Sequence, residues 1–265
     1  MMPDTFVDAQ QFFDLRGKCA LVTGAAGGIG RAIAEGLASV GVVVALADRL
    51  ADGLRETEQA ITGRGFKAVA IPVDLSHPQA RTELVEKSRT ALSRIDILVN
   101  CAGVTRGAPS ETYSPEDWDH TLSVNLTATF HLCQLAAQDM LPRRAGSIIN
   151  VASIAGVLGF PNNPAYQASK SGVIGLTRAL ANDWGKFNIR VNSISPGYTH
   201  TAMTDASFRE PHAHAARASR AMMQRWARTE EMVGPVIFLA SEAASYVTGA
   251  NLFVDGGWAA AGLTE

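Results

Sequence analysis

The chain has 265 residues, 47% of them hydrophobic and 18% charged, an ordinary globular composition that excludes a disordered or fibrous polymer. A formal net charge of −2 excludes the basic footprint of a nucleic-acid binder and an electrostatic membrane anchor. Three cysteines, Cys19, Cys101 and Cys133, with no CxxC spacing, read as reduced thiols of a cytoplasmic protein, not as a disulfide frame or metal site.

Residues 1–16 form a polar and aromatic lead-in without the apolar run of a signal peptide. No later stretch reaches the roughly 20 apolar residues of a membrane span. From there strand-length apolar runs alternate with helical spacing. Strands are expected over 19–24, 42–48, 67–74, 96–100, 146–153 and 189–195, with a last one in ANLFVDGG. Helices are expected over 28–40, from 48 to about 62, over 77–92, from 114 to about 141, over 163–184 and over 230–241. The strands are apolar throughout, without an in–out alternation. That pattern predicts an α/β fold, a single-domain, Rossmann-type, doubly wound parallel sheet of about seven strands with helices on both faces. The domain is expected over 17–265, and the polar segment 199–227 reads as a substrate lid.

The first strand runs into Gly24, Gly28 and Gly30 and then a helix. A pyrophosphate can sit there against backbone N–H groups at the positive helix end, where a Cβ would hold it off. Asp48 ends the second strand, where a carboxylate can accept both hydroxyls of an adenosine ribose and repel a 2′-phosphate. NAD is therefore favoured over NADP, although Arg31 and Arg49 lie nearby. Asp74, ending the third strand, is positioned for the adenine amino group. Tyr166 and Lys170 stand four apart and share a helix face. Ser153 follows the fifth strand, at the edge where open parallel sheets bind ligands, and Asn125 lies in the helix before that strand.

These residues sit within TGAAGGIG (23–30), DL (74–75), NCAG (100–103), SVN (123–125), NVAS (150–153), YQASK (166–170), PG (196–197) and VDGG (254–257). In that set the chain resembles the short-chain dehydrogenases/reductases, and most closely their NAD-dependent sugar and polyol dehydrogenases. The resemblance implies hydride exchange between NAD and a small secondary alcohol or its ketone. Tyr166 would be the acid/base, Ser153 would hold the substrate oxygen, and Lys170 would bind the nicotinamide ribose and lower the tyrosine pKa. Asn125 would support a water in a proton relay. Ile29, Leu75, Asn100, Pro196, Gly197, Thr199 and Thr201 would join the cofactor contacts, and Tyr198 would face the substrate with Ser153 and Tyr166. The family assembly would be a homotetramer. One departure stands out: Cys101 replaces an asparagine of the family's NNAG pattern, so support around the fourth strand is expected to be weaker.

His212 and His214 point apart on a helix and read as solvated lid residues rather than metal ligands. The four tryptophans read as packing or interface residues. The runner-up is a 3-oxoacyl carrier-protein reductase, which Asp48 opposes and which a basic patch of Arg106, Arg143 and Arg144 near the site would favour. A non-catalytic NAD-binding regulator and a methyltransferase are disfavoured by the intact Asn125, Ser153, Tyr166 and Lys170.

Overall fold

The computed structural model describes residues 8–261, so the first seven residues of the lead-in and residues 262–265 lie outside it. Seven parallel strands form one sheet in the order β3-β2-β1-β4-β5-β6-β7. They are β1 (Cys19–Thr23), β2 (Val43–Asp48), β3 (Ala68–Pro72), β4 (Ile97–Asn100), β5 (Gly146–Val151), β6 (Ile189–Pro196) and β7 (Asn251–Val254). The order reverses between β1 and β4, which opens a crevice at the strands' C-terminal ends.

Both faces of the sheet are apolar because both are covered. In β1, Ala20 and Val22 enter one core with Ile33 and Leu37 of α1 (Gly28–Ser39), Leu54 of α2 (Ala51–Thr62) and Leu239 of α9 (Val233–Ala240). Cys19 and Leu21 enter the other, with Leu84 of α3 (Pro78–Leu92), Leu132 of α5 (Ala128–Arg143) and Leu180 of α6 (Pro164–Trp184). The period of two along a strand thus feeds two cores, and each fully buried Leu or Ile contributes about 1.5–3 kcal/mol.

The long helix expected from residue 114 is three pieces: α4 (Pro115–Leu122), one π turn at Ser123–Thr127, and α5. Ser114 caps its start, accepting from the Asp117 N–H. In the π turn the Ala128 N–H reaches back to the Ser123 carbonyl, and Asn125 lies in this turn. The segment after β6 holds two short helices, α7 (Asp205–Arg209) and α8 (Pro211–Ala218), joined by irregular chain. Among the described residues no helix is long and apolar enough to cross a membrane.

Candidate active site

The glycine-rich turn sits where β1 meets α1, and its glycines are required first by the chain itself. Gly24 has φ +71°, and a Cβ on it would lie 2.9 Å from the Ala102 nitrogen. A Cβ on Gly30 would lie 2.1 Å from the Gly24 carbonyl oxygen. Close packing within the turn and against β4, not only room for a phosphate, thus fixes these two positions. Gly28, at φ +53°, faces the Thr201 methyl. The N–H groups of the first turn of α1, Ile29 among them, lack partners within the helix, which suits an anion.

Asp48 is tied into this turn: its carboxylate accepts from the Ala26 N–H at 3.1 Å and the Leu50 N–H at 3.0 Å. Asp74 is exposed, and its carboxylate accepts from the Ser76 N–H at 2.8 Å. That bond, with the Ser76 side chain, holds it below its ordinary value. Leu75 is buried, and its carbonyl accepts from Arg81 Nε at 2.7 Å.

Asn100 ends β4 at the crevice. Its side chain is in the core, where Nδ2 donates to Asn150 Oδ1 at 2.9 Å and Cys133 Sγ at 3.3 Å, while Oδ1 is buried without a partner among the described residues. The expected weakness at Cys101 is met by Thr23, whose hydroxyl oxygen accepts from the N–H groups of Cys101 and Ala102 at 3.0 and 3.1 Å. Burial pushes the Cys101 thiol up to about 12, which leaves it unreactive.

Ser153, Tyr166, Lys170 and Asn125 converge at the C-terminal end of β5. Ser153 caps the tight turn Ile154–Gly156, its hydroxyl accepting from the Ala155 N–H at 3.1 Å, and it stands near enough to the Tyr166 phenol to lower it. Gly156 lets that turn lie on α6, since a Cβ there would lie 3.0 Å from the Lys170 backbone. Lys170 is buried, donates to the Val151 carbonyl at 2.7 Å and stands 5.6 Å from the centre of the Tyr166 ring. Asn125 is a clamp: Oδ1 accepts from the Val104 N–H at 2.8 Å, while Nδ2 donates to the Val104 carbonyl at 2.9 Å and Ser169 Oγ at 3.0 Å. Gly103 fits between it and Lys170.

The electrostatics differ from the expectation that Lys170 lowers the Tyr166 pKa. In the protein alone, burial pushes the Tyr166 phenol above its ordinary value, against the Ser153 hydrogen bond that lowers it. Tyr166 is partly exposed as a residue, so the burial that matters is that of its hydroxyl end. Burial also pulls Lys170 down to about 8, because an ammonium is poorly solvated there.

Pro196 ends β6, and Gly197 abuts Asp255, with a built Cβ 2.8 Å from the Asp255 Cα. Thr199 is buried and its hydroxyl donates to the Gly197 carbonyl at 3.2 Å. Thr201 lines a cleft of about 800 Å³ between α1 and α7, with Gly28, Arg31 and His200. Tyr198 is packed between Trp226, Trp258 and Phe160.

Three surface readings need correction. His214 is half-buried: it stacks on Trp226 with ring centres 5.6 Å apart and bonds the Phe208 carbonyl through Nδ1 at 3.1 Å. Arg143 pairs with Asp96 and Asp139 at the N-terminal ends of the strands, the end opposite the site, where Arg144 donates to the Lys186 carbonyl. Only Arg106 remains near the site, so the basic patch does not form. Among the described residues no group of three His, Cys, Asp or Glu stands together as a metal site.

Sequence reasoning missed Arg81. This buried side chain joins the Leu75 loop to the π turn, bonding Ser123 Oγ at 3.0 Å and His131 Nδ1 at 3.2 Å. An arginine on a polar helix carries no mark of burial in the sequence.

Residues 24–259 match the family described as enoyl-(acyl carrier protein) reductase. The chain is 38% identical to gluconate 5-dehydrogenase of Gluconobacter oxydans, covering 92% of this chain and 96% of that one. It is 40% identical to 2-dehydro-3-deoxy-D-gluconate 5-dehydrogenase of Bacillus subtilis, covering 93% and 96%. A crystal structure of a gluconate 5-dehydrogenase from Burkholderia cenocepacia in complex with NADP and tartrate superposes with a TM-score of 0.92 at 34% identity, covering 96% and 100%.

Proposed function

The chain belongs to the short-chain dehydrogenase/reductase family, and on that premise we propose that it interconverts a secondary alcohol of a polyol or sugar acid with its carbonyl, using a nicotinamide dinucleotide. The observation that carries this reading is the convergence of Ser153, Tyr166 and Lys170 at one strand end. The activities for which the relatives are named, on gluconate and its dehydro-deoxy derivative, support the substrate class.

The residues present fit the cofactor. Gly24, Gly28, Ile29 and Gly30 present the open helix end to the pyrophosphate, with Thr201 over Gly28. Asp48 would receive the adenosine ribose, Asp74 and Leu75 would flank the adenine, and Pro196, Gly197 and Thr199 would border the nicotinamide side, with Lys170 holding its ribose. Asp48 favours NAD, whereas the Burkholderia relative holds NADP. Bound there, the cofactor accepts or supplies the hydride.

The positive charge of the bound oxidised cofactor would favour the Tyr166 phenolate over the effect of burial, and its Oη would then accept the proton of the carbinol O–H as the C–H bond gives up its hydride, and return it in the reverse direction. Ser153 Oγ holds the same oxygen, and Tyr198 walls the substrate side. A proton passes from Tyr166 toward Lys170 and the Asn125 turn. By the same family resemblance the assembly is a homotetramer, with Trp118, Phe130 and Phe253 presenting exposed aromatic surface. Light scattering checks that count.

Absorbance at the NADH band tests the function. Mixing the protein with NAD⁺ or NADP⁺ and a panel of aldonates, polyols and simple secondary alcohols should give reduction of NAD⁺ by a hydroxylated substrate. Silence on the whole panel despite NADH binding would overturn the reading, and turnover with NADP⁺ alone would overturn the assignment of Asp48.

A further inference from the structure

Tyr198 leaves β6 directly after Pro196-Gly197 and connects the acid/base to the segment above it. Its ring lies 29° from coplanar with Trp258 at 5.3 Å between centres, and meets Trp226 edge-on at 5.0 Å. On the α6 side, the Tyr198 ring meets Phe160 at 6.3 Å between centres, and the Phe160 N–H donates to Oε1 of Gln167, the neighbour of Tyr166, at 2.8 Å. On the other side, the guanidinium of Arg217, from α8, lies 4.9 Å from the centre of the Tyr198 ring. Arg217, Tyr198, Met223 and Trp258 line a cavity of about 200 Å³. At roughly 30 Å³ of liquid volume per water molecule, that is room for several waters or for one small charged group.

The other charges around this cavity are already satisfied. Arg225 and Glu231 pair with each other at 2.6 Å. Asp255 uses both carboxylate oxygens to cap its own turn, accepting from the N–H groups of Gly257 at 2.9 Å and Ala259 at 2.7 Å. Glu210, at the start of α8, likewise accepts from the N–H groups of His212 and Ala213.

Arg217 is different. Its Nε is buried with no hydrogen-bond partner, and its only hydrogen bond among the described residues is a long one, from a terminal nitrogen to the Ala213 carbonyl at 3.4 Å. No carboxylate of the described residues stands within ion-pair distance of it. A half-buried guanidinium with free N–H groups is an unmet demand for an acceptor. Its planar fork matches a carboxylate with two parallel bonds, and the Tyr198 ring holds that plane in place.

We infer that Arg217 is the carboxylate-binding residue of this site, gripping the acid end of a polyhydroxylated acid while Tyr166 and Ser153 engage a carbinol further along its chain. The inference rests on the oxidoreductase reading above and narrows it from polyols in general to sugar acids. It also gives α8 a purpose: the helix carries the selecting charge over the site.

The test compares the wild type with Arg217→Gln and Arg217→Lys on two substrates of equal length, D-gluconate and the neutral hexitol. Arg217→Gln should raise KM for gluconate roughly ten- to a hundredfold, the usual weight of a hydrogen bond to a charged group, and leave kcat/KM for the hexitol nearly unchanged. Arg217→Lys should fall between. Arg217 also supports the Tyr198 ring, and a merely structural loss would depress both substrates alike; equal losses, or no loss on gluconate, overturn the inference while leaving the proposed reaction standing. Calorimetry of gluconate binding in the presence of NADH separates the two ideas. Arg217-dependent binding without turnover of any panel member would refute the reaction and keep the subsite. Absence of gluconate binding by the wild type would overturn the subsite.

Discussion

The floor of the cleft, made by residues 23–30 and α6, and the segment above it, residues 199–227, hold their shapes by different means. In the floor, backbone meets backbone: Gly30 packs on the Gly24 carbonyl, Gly24 on Ala102, and Gly156 on Lys170. Above it, rings meet rings, with Phe208 touching His200, His214 and Trp226, and Trp226 in turn touching Tyr198. Backbone packing tolerates no added atom, whereas aromatic pairs contribute about 0.5–1.5 kcal/mol each and can be exchanged one at a time. Substitutions in the floor should therefore abolish function, and those above it should tune selectivity and mobility.

The sharpest separation is expected at Tyr166. Tyr166→Phe removes the one hydroxyl proposed to exchange a proton and leaves the ring packing intact. It should lower kcat by roughly 10²–10⁴ with NADH affinity and thermal midpoint unchanged, as rapid kinetics and calorimetry would show. A variant with kcat near the wild type would place the acid/base elsewhere.

Gly30→Ala should come next, and by another route. The new methyl would stand 2.1 Å from the Gly24 oxygen, so the turn must open. Overpacking of this kind costs about 1–3 kcal/mol, and the displaced N–H groups no longer face a phosphate. Both the unfolding midpoint and NADH affinity should fall, in contrast to Tyr166→Phe, where neither moves. A Gly30→Ala protein that binds NADH normally would show that the turn is as adaptable as the segment above it.

The same contrast explains what could be read from the chain. Buried parallel strands announce themselves as apolar runs, a turn against a helix end as glycines, and a shared helix face as the four-residue step from Tyr166 to Lys170. The sheet, the glycine turn and the shared helix face of Tyr166 and Lys170 were legible for those reasons. The π turn at Ser123–Thr127 was not, because widening one turn leaves the apolar periodicity of the surrounding helix in place. The burial of the Asn100 and Arg81 side chains was not legible, because it depends on partners, Cys133 and Asn150 for one, Ser123 and His131 for the other, that are distant in sequence. His214 looked solvated because the rings that bury it come from Phe208 and Trp226, on either side of α8.

Lys170 puts a charge into the rigid floor, and pH shows its cost. Its folded-state pKa is about 8, against an ordinary 10.5. Between those values the unfolded chain binds the proton and the folded chain does not, so stability rises with pH across that window. Tyr166 works in the opposite sense only above 10, where the unfolded phenol ionises before the folded one. Urea midpoints should therefore climb from pH 8 toward pH 10 in the wild type relative to Lys170→Met. At pH 7 the methionine variant should be at least as stable, because a buried ammonium is gone, although the Val151 carbonyl loses its donor. Parallel curves for the two proteins would mean that Lys170 is solvated in the fold.

The smallest effect on the fold, and the most direct probe of the segment as a lid, is expected at Trp226. This buried ring packs on Tyr198, Phe208 and His214 and donates from Nε1 to the His214 carbonyl at 3.1 Å. Trp226→Leu removes those ring contacts without touching the sheet, so the global midpoint should shift little. Trypsin should nevertheless cut faster at Arg209, Arg220 and Arg225, which are exposed on the same segment. Local opening, not global unfolding, governs such cleavage when reclosure is fast. If residues 199–227 close over the cleft, NADH should slow cleavage in the wild type, because Thr201 and Thr199 border the cofactor's expected path. It should slow it less in Trp226→Leu, whose ring cluster no longer holds the closed form. Equal cleavage with and without NADH in the wild type would make the segment a fixed wall, and the contrast between floor and cover would then be one of composition rather than of motion.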